Sequence, residues 1–222
     1  MSDRQIQIVT DSFWPLLKAG VLYTIPLSLI TFVLGLLLAI VTALVRMYAW
    51  APFRWVAGLY VWIIRGTPLL VQLFIIFFGL PMVGLTLDAF PSAIIGFSLS
   101  VGAYGSEIVR AAIVSVQKGQ WEAAYSLGMT RLQALRRIVL PQAARVSVPP
   151  LGNSFIGLVK DTSLAAVITF AEMFRRAQQI VATTYEPLLL YCEVAVIYLL
   201  FSTVLSVLQN VSERYLARYS AS

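Results

Sequence analysis

Long uncharged apolar tracts alternate along this chain with short segments that gather its charge. Ala19–Val45 contains no Asp, Glu, Lys or Arg. It exceeds the roughly 20 helical residues that cross a bilayer core of about 30 Å, and it is too long for the roughly 7–15 residues of a signal-peptide core. It therefore predicts helix 1, a membrane span. Arg46–Arg54 follows as a basic loop, and Trp50, Phe53, Trp55 and Tyr60 suit a membrane interface. Gly66–Leu87 is again uncharged and holds helix 2, which begins earlier, with Arg65 near its inner end. Pro81 and Asp88–Pro91 read as a short connection. Helix 3 runs from Ser92 to about Val114 and contains Glu107 and Arg110. A polar segment, Ser115 to Arg145, separates it from helix 4, Val146–Ala171, which Lys160 and Asp161 interrupt. Helix 5 is Pro187–Val211, and a tail carries Arg214 and Arg218 before Tyr219–Ser222, read as a frayed end. The expectation is an all-α membrane protein, a single transmembrane domain over residues 1–222 with five spans.

Composition narrows the chemistry. Hydrophobic residues make up 59% of the chain and charged residues 12%, about half the usual charged share of a soluble domain. Histidine is absent, so imidazole bases and His-ligated metals are excluded. The lone cysteine, Cys192, forms neither an internal disulfide nor a four-cysteine zinc site. No Walker-type glycine-rich loop is present, so ATP is not expected to bind here by that route. The net charge of +6 sits mainly in loops between apolar spans, where anionic lipid and topology explain it better than nucleic acid does.

The same charges orient the chain. Arg46, Arg54, Lys118, Arg131, Arg136, Arg137, Arg145, Arg214 and Arg218 fall on one side of a five-span topology; Arg4, Lys18, Arg175 and Arg176 fall on the other. Nine against four places the first set in the cytoplasm, with the N-terminus outside. The Arg175–Arg176 pair fits this count worst.

Segment 115–145 is patterned beyond the needs of a connector. Trp121, Ala124, Tyr125 and Gly128 share a helical face, and Gly128 suits the left-handed stop of a helix. Thr130 followed by Gln133 is a capping-box spacing that restarts one. Leu132, Leu135 and Val139 then form an apolar stripe against Arg136 and Arg137, and Pro141 is expected to end it. Periodicity leaves two readings open: an amphipathic pair lying on headgroups, or a docking element.

Glu122-Ala123-Ala124, then Gly128, Ile138, Leu140 and Pro141 reproduce the spacing EAA-x3-G-x9-I-x-L-P. This resembles the EAA loop of binding-protein-dependent ABC importer permeases. Arg65-Gly66-Thr67-Pro68-Leu69-Leu70, Asn153-Ser154-Phe155 and Lys160-Asp161-Thr162-Ser163-Leu164 resemble the polar amino-acid branch, and Gly119–Ala124 and Pro141–Leu164 look most like bacterial L-cystine permeases. The resemblance implies a type I ABC importer permease fold. It implies that Glu122, Ala123, Ala124, Gly128, Ile138, Leu140 and Pro141 form a coupling loop against a separate ATPase. It implies two ATPase subunits holding the ATP and Mg, a second permease subunit (a homodimer is expected), a periplasmic or extracellular solute-binding protein, and a bacterial inner membrane location. The chain itself is then no enzyme and binds no cofactor or metal.

Charges inside spans cost about 2.5–3.5 kcal/mol on insertion scales and usually face a cavity or a partner. Glu107 and Arg110 share a face at i, i+3; Lys160 and Asp161 point about 100° apart, with a helix break capped by Asp161 or Thr162 as one outcome. With Arg65, these residues are either a translocation route for a zwitterion or interhelical pairs that fix the bundle. Glutamine, histidine or arginine are alternative solutes to L-cystine. An ion-gradient-driven secondary transporter or channel is the alternative from another class.

Overall fold

The computed structural model describes residues 2–218, with side chains through Arg214, and is helical nearly throughout, with no strand among the described residues. Tyr219–Ser222 lie outside the described residues. Helices α1 (Asp3–Ala19) and α2 (Ile25–Tyr48) are joined by a π-helical turn, Gly20–Thr24, into one rod of 46 residues. At 1.5 Å per residue this is about 69 Å long, more than twice a bilayer core of about 30 Å. Helix 1 therefore begins well before Ala19. Its added turns are amphipathic, opened by a reciprocal capping box between Ser2 and Gln5, and they stand on the N-terminal side of the uncharged tract.

The tract expected to be one straight span, helix 2, is a corner. Helix α3 (Ala51–Gly66) stops at Thr67–Pro68, and α4 (Leu69–Phe74), continued by π and 3-10 turns to Val83, departs at 106°. Pro68 dictates this: it disfavours helical geometry at Thr67, which is extended at φ −122°, ψ 146°. Helix α5 (Ala89–Ser115) includes Pro91 in its first turn, so the connection ends sooner than the sequence implies. Helix α6 (Lys118–Ser126) follows. Then α7 (Arg131–Ala134), a π turn Leu135–Val139 and α8 (Leu140–Asp161) form one helical run. Pro141 thus begins α8 and does not end the amphipathic stripe. A 3-10 segment Thr162–Ile168 precedes α9 (Met173–Thr184) and α10 (Pro187–Arg218).

Three prolines share one local solution. Pro26, Pro81 and Pro141 each follow a π turn by two residues. A proline lacks the N–H of an α-helical bond, and its ring strikes the carbonyl four residues back. In each case the residue just before the proline reaches five residues back instead: Ile25 N–H to Gly20 O, Leu80 N–H to Ile75 O and Leu140 N–H to Leu135 O. Pro15 and the Pro149–Pro150 pair sit inside α-helix without such a turn.

The core lies in three tiers. Leu27, Leu73, Phe97, Val101, Leu158 and Ile168 fill the middle. Leu16, Met173, Val194 and Ile197 join α1, α9 and α10 at one end. Ile113, Leu135, Val139 and Ala143 join α5 to the α7–α8 run at the other. Helices α2 and α5 approach very closely through glycine: a Cβ on Gly35 would stand 2.5 Å from Val101 Cβ, and one on Gly105 2.9 Å from Ala39 Cβ. Small residues at a helix crossing let membrane helices pack by backbone contact.

Candidate translocation pathway and coupling surface

The corner at Thr67 turns Arg65 toward α5, with its side chain still 44% exposed. Two carbonyls and one hydroxyl at the end of α3 are gathered by one side chain: Gln72 Nε2 donates to Ile64 O (2.8 Å), Thr67 O (3.1 Å) and Thr67 Oγ1 (2.9 Å). That clasp holds the Arg65-Gly66-Thr67-Pro68 turn. From it the Arg65 guanidinium lies over the Tyr104 ring, 5.3 Å from its centroid, and 3.5 Å from Glu107.

Glu107 is the hub of the charged cluster. Arg46 Nη1 donates to its Oε1 at 2.6 Å, and Arg110 donates to Oε2 through Nε at 3.0 Å and Nη2 at 2.8 Å. With Arg65, three guanidiniums meet one carboxylate, a local excess of two positive charges. The i, i+3 pairing of Glu107 and Arg110 was legible in the sequence. The addition of Arg46 was not: it sits on α2, 61 positions from its partner, and reads in sequence as one more loop charge.

Arg65 and Glu107 line a cavity of about 550 Å³ together with Ser100, Tyr104, Ser154 and Asp161. Asp161, on α8, puts a carboxylate on the wall of a space whose other polar wall carries surplus guanidinium. Lys160 is exposed and outside this lining. Neither Lys160 nor Asp161 forms an ion pair among the described residues. The helix changes from α to 3-10 at Thr162, but neither Asp161 nor Thr162 caps it with its side chain; Thr162 Oγ1 donates back to Val159 O at 2.7 Å. So the structure brings Glu107, Arg65 and Asp161 to one cavity, adds Tyr104 to its wall, ties Arg110 and Arg46 to it only through Glu107, and leaves Lys160 aside.

Segment 115–145 has two of the local features expected of it. Gly128 takes φ +75° after α6, and Thr130 and Gln133 form the reciprocal capping box that starts α7. Glu122 and Ala123 are exposed, whereas Ala124 is buried against its own chain. Ile138 and Leu140 are half-buried and Pro141 is exposed. The pair of helices is fixed from below the bundle by Arg131, 5.1 Å from the centroid of the Tyr48 ring, and by Trp121 packed on the inner core tier. Leu127, 77% exposed, and Tyr125, 46% exposed, give the outward face of α6 an apolar side. The sequence groups Tyr125 with Trp121 and Ala124 on one helical face, but Tyr125 is exposed where Ala124 is buried, and Leu127 carries no signal in that grouping. Leu132 of the expected stripe is likewise outside, while Leu135 and Val139 are inside.

Comparison with known proteins gives the arrangement a family. Residues 32–218 match the family described as binding-protein-dependent transport system inner membrane component. The chain is 57% identical over 215 residues to the L-cystine transport system permease protein TcyB of Bacillus subtilis, covering 96% of this chain and 92% of that one. It is 38% identical to the glutamine transport system permease protein GlnP of Escherichia coli, covering 94% and 98%. In three dimensions it superimposes on a subunit of an amino acid ABC transporter crystallised with histidines, at a TM-score of 0.90, 37% identity and 97% coverage of this chain. A chain of the inward-facing methionine transporter MetNI shares the fold, at a TM-score of 0.70 and 20% identity. The match of the family over most of the chain, and of the whole helical arrangement to solved ABC permeases, leaves one conclusion: this chain belongs to the family of binding-protein-dependent transport system inner membrane components.

Proposed function

We propose that the chain is the permease subunit of an ATP-driven ABC importer in a bacterial inner membrane, and that it carries a polar amino acid, L-cystine first among them. The observation that carries the reading is a cavity within the helical bundle whose walls bear both signs of charge. An amino acid presents a carboxylate and an ammonium group. Arg65 is the least engaged of the three guanidiniums at Glu107, at 3.5 Å, so it is free to meet the carboxylate, while Asp161 meets the ammonium. Arg46 and Arg110 keep Glu107 occupied and so hold the cluster in place. The substrates named for the relatives at 57% and 38% identity support the amino-acid class.

In this reading the whole chain is one transmembrane domain. Five spans follow if each bent helix pair counts as one, with the N-terminus outside and residues 115–145 in the cytoplasm. The exposed face of α6, led by Glu122, Ala123, Tyr125 and Leu127, docks on a separate ATPase, two copies of which hold the ATP and Mg. Gly128 allows the tight turn behind that face. Ala124, Ile138 and Leu140 brace it from within the chain, and Pro141, exposed, opens α8 behind it. A second permease copy completes the pathway as a homodimer, and a solute-binding protein delivers the amino acid from the far side. ATP-driven closure of the ATPases then biases the bundle between inward- and outward-open states.

The test is ATP-dependent uptake of labelled L-cystine by proteoliposomes holding this chain, its candidate ATPase and its binding protein. Glu122→Lys is expected to abolish uptake and ATPase co-purification together. Competition by glutamine, histidine or arginine but not by cystine would move the substrate within the class. Uptake that persists without the ATPase, and collapses with an ion gradient, would replace the importer by a secondary transporter.

A further inference from the structure

On the α1 side of the bundle, remote from the charged cavity, lies a second pocket of about 460 Å³ between α1, the π turn and α9. Trp14, Lys18, Leu22, Tyr23, Arg176 and Gln179 line it. All of these side chains are exposed. The ion pairs among the described residues all converge on Glu107, so neither Lys18 nor Arg176 has a carboxylate partner. Arg176 uses Nη1 on Gln179 Oε1 at 2.9 Å, a contact within its own helix. Two cations from two helices thus face one space with no counter-ion among the described residues.

Its position says what kind of anion belongs there. Lys18 is the residue before the uncharged tract, so it stands where the helix enters the apolar phase. Trp14 and Tyr23 flank it along the rod, the arrangement of aromatic rings at a membrane surface. Below it an exposed apolar stripe continues down the same rod through Leu22, Leu29, Val33, Leu37 and Ile40. From Leu22 to Val33 the rise is about 16 Å, one leaflet's share of a core of about 30 Å. A free anion has no use for that stripe, and a water-soluble docking protein would not follow it below the membrane surface. A molecule with a charged head and a hydrocarbon chain uses both.

We propose that this pocket binds an anionic phospholipid of the leaflet on the α1 side, its phosphate between Lys18 and Arg176 and one acyl chain along the α2 stripe. The proposal depends on the chain spanning the bilayer and not on which solute it carries. It also accounts for the Arg175–Arg176 pair on the side of the membrane where the charge count expects few cations: Arg176 is a headgroup ligand and not a topology signal.

Native mass spectrometry of the detergent-solubilised permease–ATPase complex, titrated with phosphatidylglycerol and phosphatidylcholine of the same chains, tests it. The wild-type complex is expected to prefer phosphatidylglycerol. The double variant Lys18→Gln/Arg176→Gln should lose about 25-fold in that preference, from about fivefold per cation near a membrane surface. Arg4→Gln, an exposed cation outside the pocket, should keep it, and the double variant should melt with the wild type in phosphatidylcholine. A double variant that still prefers phosphatidylglycerol overturns the proposal. Displacement of the lipid by glycerol phosphate at equal concentration would make the ligand a free phosphate and also overturn it. An unchanged lipid preference with weakened capture of the binding protein would reassign the pocket to protein docking. Cystine uptake measured on the same variants keeps this outcome separate from the importer assignment: uptake can fail with lipid selectivity intact, and the reverse.

Discussion

Arg65 and Glu107 share one ion pair but differ in what their loss exposes. Replacing Arg65 leaves Glu107 still bonded to Arg46 and Arg110. Arg65→Gln is therefore expected to leave the melting temperature within error while uptake falls roughly 10–100-fold, the size of one lost hydrogen bond to a charged group. Glu107→Gln strips the shared anion from three guanidiniums at once, so it should lower both uptake and melting temperature; uptake at the wild-type rate would remove the cluster from the pathway. Residue-scale reading of the sequence succeeded where partners are near in the chain. Glu107 and Arg110 are three apart, and Thr130 and Gln133 form a cap by spacing alone. It missed Arg46 and Tyr104 because their meeting with Glu107 and Arg65 depends on how α2, α3 and α5 cross, which no local spacing encodes.

Among the elements, the coupling segment and the α2–α5 crossing make the sharpest predictions. Gly128 at φ +75° has no neighbour within 4 Å of where a Cβ would be, so Gly128→Ala adds backbone strain without a clash. About 1–2 kcal/mol is expected, read as weaker co-purification of the ATPase with the fold of the bundle unchanged. Gly35→Val has the opposite signature. Its Cβ would stand 2.5 Å from Val101, and overpacking of about 1–3 kcal/mol should appear as a lower melting temperature with the coupling face untouched. Proline was the misleading letter at this scale. Pro68 does break a helix, whereas Pro141 begins one, and the difference lies in what precedes it. Leu135–Val139 widens to a π turn and lets the run continue. A wide turn has no composition of its own, so the sequence alone places a terminus where the chain has a seam.

For the molecule as a whole, orientation is the testable consequence. In a Cys192→Ser background, Asp3→Cys should react with a membrane-impermeant maleimide added to intact cells, and Gly119→Cys should react only after the cells are opened; the reverse result would invert the topology. All-helical organisation and membrane residence were legible from the uncharged tracts, because bilayer thickness imposes a length that composition reveals. The corner at Thr67 was not, since it falls in an uncharged tract that hydropathy reads as one straight span, and neither was the amphipathic rod above Ala19, whose mixed polar residues look like a loop when read for hydropathy. That rod has a further property. Ser12, Leu16 and Ala19 are buried in α1, and their spacing carried forward points to Tyr23; yet Tyr23 is 46% exposed, and Thr24, the next residue, is fully buried. The π turn has slipped the phase of the helix by one residue, about 100° of azimuth. A helical wheel drawn across Gly20–Thr24 therefore assigns every later residue to a wrong sector. Excising one residue of the turn would swing α1 around the rod's axis, carrying Lys18 away from α9 while the lipid-facing side of α2 stayed where it is.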